Sequence, residues 1–283
     1  MNLPPLYKYL DPIGAELTLK NGSFRHAQPS DFQDDMDMTV ESVFPESIEA
    51  AAQQMLTGFN RTILKNLDIE PTCQNESMRA KIALLQQLFR QTPSVVGLLE
   101  HEMKDDKVAE IYDLERLTAV AAGLISELNV FLQGYRVLCV TDNHTSVRMW
   151  ESYAANHTGV VVRISPNYAK DSKFKLFQPV DYVQSRPTLY EDAQSFQEDG
   201  LFGDQFEKVE RILEKIIYSK TLEFEFEREY RLVVPLMPGE DRNTYPYHPE
   251  EVSELYVGAS MDASNKAEIV GIAKGRNPEI LIF

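Results

Sequence analysis

The pattern of hydrophobic and polar positions divides the chain into regions of different character. Residues 6–10 (Leu-Tyr-Lys-Tyr-Leu) are rich in β-forming residues and predict a short first strand. From residue 45 to residue 131 the apolar positions recur at helical spacing, which predicts a mostly helical block. Residues 136–141 and 159–164 then form almost unbroken apolar runs, as in buried strands. The helical block therefore interrupts a chain that otherwise mixes strands and helices.

This pattern predicts an α+β protein with an inserted subdomain. We assign residues 1–44 and 132–283 to an α+β core and residues 45–131 to an inserted helical subdomain. Further helices are predicted at residues 146–154 and 204–220, and the polar tract at residues 184–203, which contains Pro and Gly, is predicted to be a loop.

One later stretch, residues 222–234, alternates almost strictly between charged and apolar side chains. Because successive side chains of a strand point to opposite faces, the alternation predicts a strand with Phe224 and Phe226 on one face and a row of glutamates on the other. For Glu223 and Glu225, the solvated face of an edge strand is an equally good interpretation. Glu227 and Glu229 run directly into the apolar end of the stretch, where unpaired carboxylates are costly, so we select them as candidate functional residues.

The charge of the chain restricts its partners. Lys and Arg number 28 against 44 for Asp and Glu, which leaves a formal charge of -16 and repels nucleic-acid phosphates and anionic lipid at long range. A nucleic-acid partner would need a local basic patch. The nearest sequence feature is the loose set Lys170, Lys173 and Lys175 beside Tyr168, which we interpret as a solvated strand edge.

Targeting and metal signals are missing from the sequence. No secretory signal is recognised at the start, and no apolar stretch reaches the roughly 18 residues that a membrane span requires, so we expect a cytoplasmic protein without membrane contact. Two cysteines and five scattered histidines suggest neither a disulfide framework nor a metal site.

Several short motifs occur in an order that resembles a known family. They are Tyr7-Lys8-Tyr9, the Phe32-Gln33-Asp34 loop, Met149-Trp150 followed by Tyr153-Ala154, Gly159-Val160-Val161-Val162, Lys220, and Glu227-Arg228-Glu229-Tyr230-Arg231. Together they resemble a widespread bacterial family of unknown function whose members often accompany phage-defence genes. Members of that family are similar to ADP-ribosyltransferases, in which the cleft of a split antiparallel β-sheet binds NAD and a late strand presents a catalytic glutamate.

The resemblance implies roles for individual residues. Glu227 or Glu229 would be the catalytic glutamate. The residues that would bind NAD are Tyr7, Lys8, Tyr9, Phe32, Asp34, Trp150, Tyr153 and Arg231. Of these, Arg231 could pair bidentately with pyrophosphate, but it could equally neutralise Glu229. Trp150 could stack on a flat ring or simply pack in the core.

The resemblance also implies an activity and a setting. We expect an NAD-dependent ADP-ribosyltransferase-like toxin or effector of bacterial anti-phage defence, which modifies an RNA or a protein and is held by an antitoxin or a chaperone. The chemistry suits the residues, because loss of nicotinamide builds positive charge on the ribose, and a carboxylate stabilises that charge.

Two other functions remain open at this point. The first is a metal-dependent hydrolase or nuclease that uses Asp34, Asp37, Glu227 and Glu229 to hold a divalent cation. The second is a non-enzymatic defence protein that binds a partner through residues 45–131.

Overall fold

The computed structural model describes residues 3–95, 113–237 and 239–283, which group into two units. The first unit contains Met1–Met38, Phe131–Ser185 and Tyr218–Phe283. The second contains Thr39–Val130 and Arg186–Ile217. It is therefore larger than the insertion predicted at residues 45–131, because a later part of the chain joins it.

Within the described residues, every strand lies in the first unit. They are β1 (Leu6–Leu10), β2 (Ser23–Arg25), β3 (Tyr135–Thr141), β4 (Val160–Ile164), β5 (Gln178–Pro179), β6 (Asp181–Val183), β7 (Ser219–Thr221), β8 (Glu229–Pro235), β9 (Thr244–Pro246), β10 (Val252–Val257) and β11 (Leu281–Ile282).

The α-helices are shared between the two units. They are α1 (Pro12–Asn21), α2 (Ile48–Lys65), α3 (Glu76–Gln91), α4 (Leu114–Leu132), α5 (Val147–Tyr153), α6 (Ala193–Phe202), α7 (Gln205–Ile217) and α8 (Ala263–Arg276). No helix among the described residues combines the length and the apolar character that a membrane crossing requires.

A seven-stranded, mostly antiparallel sheet forms the centre of the first unit, with the order β11-β10-β4-β1-β3-β8-β5. The predicted α+β class is thus confirmed. β1 pairs with β4 along its whole length, from Leu6 opposite Ile164 to Leu10 opposite Val160. With β3, in contrast, β1 is paired at one described position, Tyr7 opposite Thr141. Beyond that position the Lys8 side chain links the two strands, since its Nζ donates to the carbonyl oxygen of Cys139.

The two faces of the sheet carry different side chains because of strand alternation. Leu6, Val160 and Val162 belong to the main apolar core, on whose side α1 and α8 pack against each other. Tyr7 and Tyr9 belong to a second, aromatic cluster together with residues of α5.

In the second unit, apolar side chains of α2, α3 and α6 pack together. Ile63, Ile82, Phe89 and Phe202 form its buried cluster. The last of these lies in α6, within the tract 184–203, so the prediction of a loop there was wrong. The tract is mostly polar, which is typical of a loop. A few apolar residues are nevertheless enough to pack the helix against α2. Residues 96–112 of the predicted helical block lie outside the described residues.

The stretch 222–234 is not one strand. Leu222–Glu227 forms a 3-10 helix, Arg228 adopts a left-handed conformation (φ 46°, ψ 51°), and β8 begins at Glu229. The alternating pattern predicted β8 correctly but not the preceding turn. Charge pairing offers a physical reason, because both glutamates contact Lys220 from this bent backbone.

Candidate functional site

A cavity of about 280 Å³ opens in the first unit beside the junction of β1 and β3. Its lining combines aromatic and charged side chains. Those that matter here are Tyr7, Lys8, Tyr9, Arg25, Phe32, Asp34, Asp37, Cys139, Tyr153, Lys220, Phe224, Glu227 and Glu229. Eight of the ten residues predicted from the sequence therefore line one cavity. Trp150 and Arg231 are not among its described lining residues.

Glu227 ends the 3-10 helix and is 4% exposed. Its Oε1 accepts a hydrogen bond from the Tyr153 hydroxyl at 2.6 Å, and its Oε2 accepts one from Lys220 Nζ at 2.6 Å. The left-handed Arg228 turns the chain directly after Glu227. The turn, the tyrosine and the lysine together hold this carboxylate at the cavity wall.

Glu229 begins β8 and is anchored more completely. Its Oε1 accepts from Arg231 Nε at 2.7 Å, while its Oε2 accepts from Arg231 Nη2 and Lys220 Nζ, each at 3.2 Å. Burial alone would raise the pKa of Glu229, but the charges of Arg231 and Lys220 outweigh it and hold the pKa well below its ordinary value. Glu229 is therefore a permanently ionised anchor.

Arg231 lies behind the cavity with none of its side chain exposed. It binds Glu229 on one side, and its Nη1 and Nη2 donate to the carboxylate of Asp37 at 3.1 and 2.5 Å on the other. This geometry corrects the prediction that Arg231 binds a pyrophosphate, because a fully buried guanidinium cannot reach a ligand. It fits the alternative reading, in which Arg231 neutralises Glu229.

Lys220 lies at the centre of this charged cluster. Its Nζ is 2.6 Å from Glu227, 3.2 Å from Glu229 and 3.5 Å from Asp37. Burial opposes its charge, but the three carboxylates outweigh burial and raise the pKa of Lys220. Lys220 was among the positions that carry the family resemblance, but no role was predicted for it, because its contacts with Asp37 and the two glutamates arise only in the folded chain.

The cluster contains more negative than positive charge. Three carboxylates, those of Asp37, Glu227 and Glu229, face the two cations Lys220 and Arg231. A buried cluster with one excess negative charge favours a cationic ligand or a developing positive charge beside it.

The two aromatic residues of α5 have different roles. Tyr153 bonds to Glu227, and burial, followed by the charge of Glu227, raises its pKa, so the hydroxyl stays protonated and donates. Trp150 donates its indole N–H to the carbonyl oxygen of His144 at 3.0 Å and stacks on the His157 ring at 5.4 Å. The half-buried Trp150 ring thus packs against protein, edge-on to Tyr9, as the core-packing alternative expects, and its role as a ligand platform stays a prediction.

Two further cations line the cavity apart from the Lys220 cluster. Lys8 Nζ donates to the backbone carbonyl of Cys139 at 2.8 Å, which links β1 to β3 through a side chain. Arg25 pairs with Asp31 at 2.6 Å and is largely exposed. Arg25 was missed in the sequence, because only the fold of β2 brings it beside the loop that carries Phe32 and Asp34.

The carboxylates are not arranged as metal ligands. Among the described residues, no group of three or more His, Cys, Asp or Glu side chains could hold a metal ion. Asp37 and Glu229 contact Lys220 and Arg231 instead. The geometry thus gives the metal-dependent hydrolase alternative no support.

Comparison with known proteins covers part of this site. The family DUF2971, described as a protein of unknown function, matches residues 149–232. The matched range contains Tyr153, Lys220, Glu227 and Glu229, whereas β1 and the loop at residues 32–34 lie outside it. No curated protein and no solved structure matches the chain.

Proposed function

We propose that this protein is an NAD-dependent glycosyltransferase of the ADP-ribosyltransferase type, with Glu227 as its catalytic carboxylate. The observation that carries the proposal is the carboxylate-rich cluster in the wall of an aromatic-lined cavity beside the β1 and β3 junction. The family resemblance adds the setting, in which the protein acts as a toxin or effector of anti-phage defence and an antitoxin or chaperone restrains it. That part of the proposal rests on analogy.

The reaction breaks one bond and forms one. The bond between the ribose C1' and the nicotinamide nitrogen breaks, and nicotinamide leaves with the bonding electron pair. Positive charge develops on the ribose, where a fixed carboxylate within about 3 Å stabilises it. A nucleophile of the acceptor then attacks C1' and loses its proton to a base, and general-base help contributes typically about 10² to 10⁴-fold.

Glu227 suits this role better than Glu229. An ionised carboxylate offers about four acceptor positions. Glu227 uses two of them in its bonds to Tyr153 and Lys220, whereas Glu229 uses three in its bonds to Arg231 and Lys220. Glu227 therefore retains capacity to accept a ribose hydroxyl, while Glu229 holds Lys220 and Arg231 in place.

The remaining lining residues fit the nicotinamide half of NAD. The cavity is slightly smaller than the roughly 300–1,000 Å³ typical of ligand pockets, so it suits a nucleoside rather than the whole dinucleotide. Tyr7, Tyr9 and Phe32 offer apolar ring surface, and Lys8 and Arg25 offer positive charge to the diphosphate.

The proposal is tested by incubating purified protein with labelled NAD, with and without a bacterial lysate, and measuring free nicotinamide. Glu227→Gln should reduce nicotinamide release at least about 100-fold. Glu225→Gln is the matched control, because that glutamate is exposed on the same 3-10 helix and should leave the rate unchanged. Added chelator should have no effect.

Three outcomes would contradict the proposal. NAD could stay intact with the wild-type protein in every fraction, which would favour a binding protein. Glu227→Gln could retain the wild-type rate. A chelator could abolish turnover, which would favour a metal-dependent hydrolase.

A further inference from the structure

A patch of exposed positive charge surrounds Tyr245 in this acidic protein. β2 and β9 pair with Phe24 opposite Tyr245 and Arg25 opposite Thr244. Around the Tyr245 ring, Lys173 Nζ lies 5.0 Å and Arg242 Cζ 4.8 Å from the centroid. Both cations lie at the Tyr245 ring although they come from distant parts of the chain.

The patch is only partly neutralised. In the described part of the chain, neither Lys173 nor Arg242 has a carboxylate within 4.0 Å, although Asp31 pairs with Arg25. Two more carboxylates, those of Glu240 and Asp241, lie close by; the second is fully exposed and 4.0 Å from Arg136. In a chain with a formal charge of -16, these two neighbouring cations form a local region of positive charge.

A buried histidine beneath the patch responds to the same positive charge. His26 is 1% exposed and packs on the Tyr245 ring at 4.4 Å. Burial lowers the pKa of His26 to about 4, and the charges of Lys8, Lys173 and Arg242 contribute to this shift. The ring is therefore neutral, and the net charge of the patch comes from its lysines and arginines.

The positive charge continues along the surface to an exposed aromatic ring. Lys173 and Lys175 share the 3-10 helix Lys173–Leu176, and Lys175 Nζ lies 5.9 Å from the Tyr168 ring. Tyr168 is 63% exposed. The acidic residues beside this segment already have partners, since Lys170 pairs with Glu250 and His248 with Asp171.

We propose that Lys173, Lys175 and Arg242, here called the basic stripe, bind the phosphates of a single-stranded nucleic acid, with Tyr168 as a stacking surface for a base. Cations in a row beside an exposed ring are the features that bind single strands without sequence preference. The Tyr245 strand β9 pairs with β2, and β2 carries Arg25 of the cavity lining, so the stripe lies beside an element of the Glu227 site. The bound strand is then the acceptor, and this last step rests on the proposed function, whereas binding itself needs no NAD.

Binding is tested by fluorescence anisotropy of an end-labelled 15-nucleotide RNA and of the same sequence as DNA, without NAD, over a range of salt concentrations. Three phosphate contacts predict a slope of log K against log salt of about -2, because each contact on a single strand contributes about -0.7. The double variant Lys173→Ala with Arg242→Ala should flatten the slope by about 1.4. Tyr168→Ala should weaken binding about 5- to 150-fold.

The matched control is the double variant Lys266→Ala with Lys274→Ala, which removes the same charge from exposed positions of α8. It should bind like the wild type. Absence of binding at low salt, or equal loss in the control, would overturn the proposal. So would equal competition by an acidic peptide, or displacement by inorganic pyrophosphate at comparable concentration, which would indicate a site for a small phosphate ligand.

The catalytic variant separates this inference from the proposed function. Glu227→Gln should bind the strand as tightly as the wild type. If binding depends on the stripe but NAD is never cleaved, the nucleic-acid binding site is supported and its role as an acceptor site is refuted. If NAD is cleaved and label appears only on protein, the acceptor assignment is wrong.

Discussion

Replacing Lys220 by methionine should destabilise the first unit by about 3–5 kcal/mol at pH 7. Methionine has a similar length but no charge. In the wild-type protein the Lys220 side chain is 8% exposed and lies within 3.5 Å of Glu227, Glu229 and Asp37. After the substitution, Arg231 is the remaining cation of the cluster, and it contacts the carboxylates of Asp37 and Glu229.

The magnitude follows from this geometry. Removing one partner of a buried ion pair costs about 3–5 kcal/mol, because the other charge remains in a medium of low dielectric constant. The cost is not three times larger, since Arg231 still compensates Asp37 and Glu229. An exposed pair such as Lys20 with Glu16 would contribute at most about 1 kcal/mol.

The assay is urea unfolding followed by the fluorescence of Trp150, the single tryptophan, which lies in the first unit and reports on that unit. Lys220→Arg keeps the charge and should restore most of the lost stability. Lys274→Met removes a charge from an exposed position of α8 and should change stability by less than about 0.5 kcal/mol.

The loss should also depend on pH. Glu229 has a lowered pKa when folded, so its contribution is present above the unfolded value near 4.3 and is lost as the pH falls through the folded pKa. Lys220 has a raised pKa, so its contribution is present below about 10.4 and is lost as the pH rises through the folded pKa. In Lys220→Met the pKa of Glu229 rises, because one of its two cations is gone. The difference in stability from the wild type should therefore narrow as the pH falls below about 4.3.

Two results would refute this reasoning. A loss below about 1 kcal/mol at pH 7 would mean that Lys220 does not compensate buried charge. An equal loss in Lys220→Arg and Lys220→Met at every pH would mean that side-chain shape, rather than charge, holds the cluster together.

Three other substitutions test the surroundings of the cluster. Arg231→Lys should cost about 2–4 kcal/mol in urea unfolding, because an ammonium cannot replace the paired contacts of the guanidinium; a change below about 0.5 kcal/mol would contradict this. Tyr153→Phe removes a hydrogen bond to the charged Glu227 and should cost about 1.5–3 kcal/mol by the same assay, whereas an unchanged midpoint would mean that the bond adds nothing. Gly159→Ala would place a Cβ 2.1 Å from a backbone carbonyl oxygen of β1, so it should lower the thermal midpoint strongly. Gly271→Ala in α8 is the control, because its Cβ would meet no atom within 4 Å and the midpoint should not fall. Equal midpoints for the two variants would show that the backbone at Gly159 shifts to accommodate the Cβ.

The stretch 222–234 illustrates what local pattern reveals and what it misses. Its alternation identified Glu227 and Glu229 as carboxylates entering the core, and both are buried against cations. The same alternation predicted a continuous strand, whereas a 3-10 helix and a left-handed residue precede β8. The prediction that Glu227 and Glu229 have charged partners succeeded because the cost of burying a carboxylate depends on residue type. The prediction of a strand failed at Leu222–Glu227, where the backbone forms a 3-10 helix and Glu227 contacts Lys220.

The sequence by itself determined the buried strands, most helices and the mixed α+β class, because periods of two and 3.6 residues are properties of the local backbone. Only the tertiary structure decided which charges meet. Asp37 and Arg231 bind each other although they are 194 positions apart, and the basic stripe draws its members from separate segments in the same way. Electrostatic interaction depends on distance in space rather than along the chain, so neither the net charge of -16 nor any local motif could reveal that Asp37 meets Arg231 or that Arg242 lies beside Lys173.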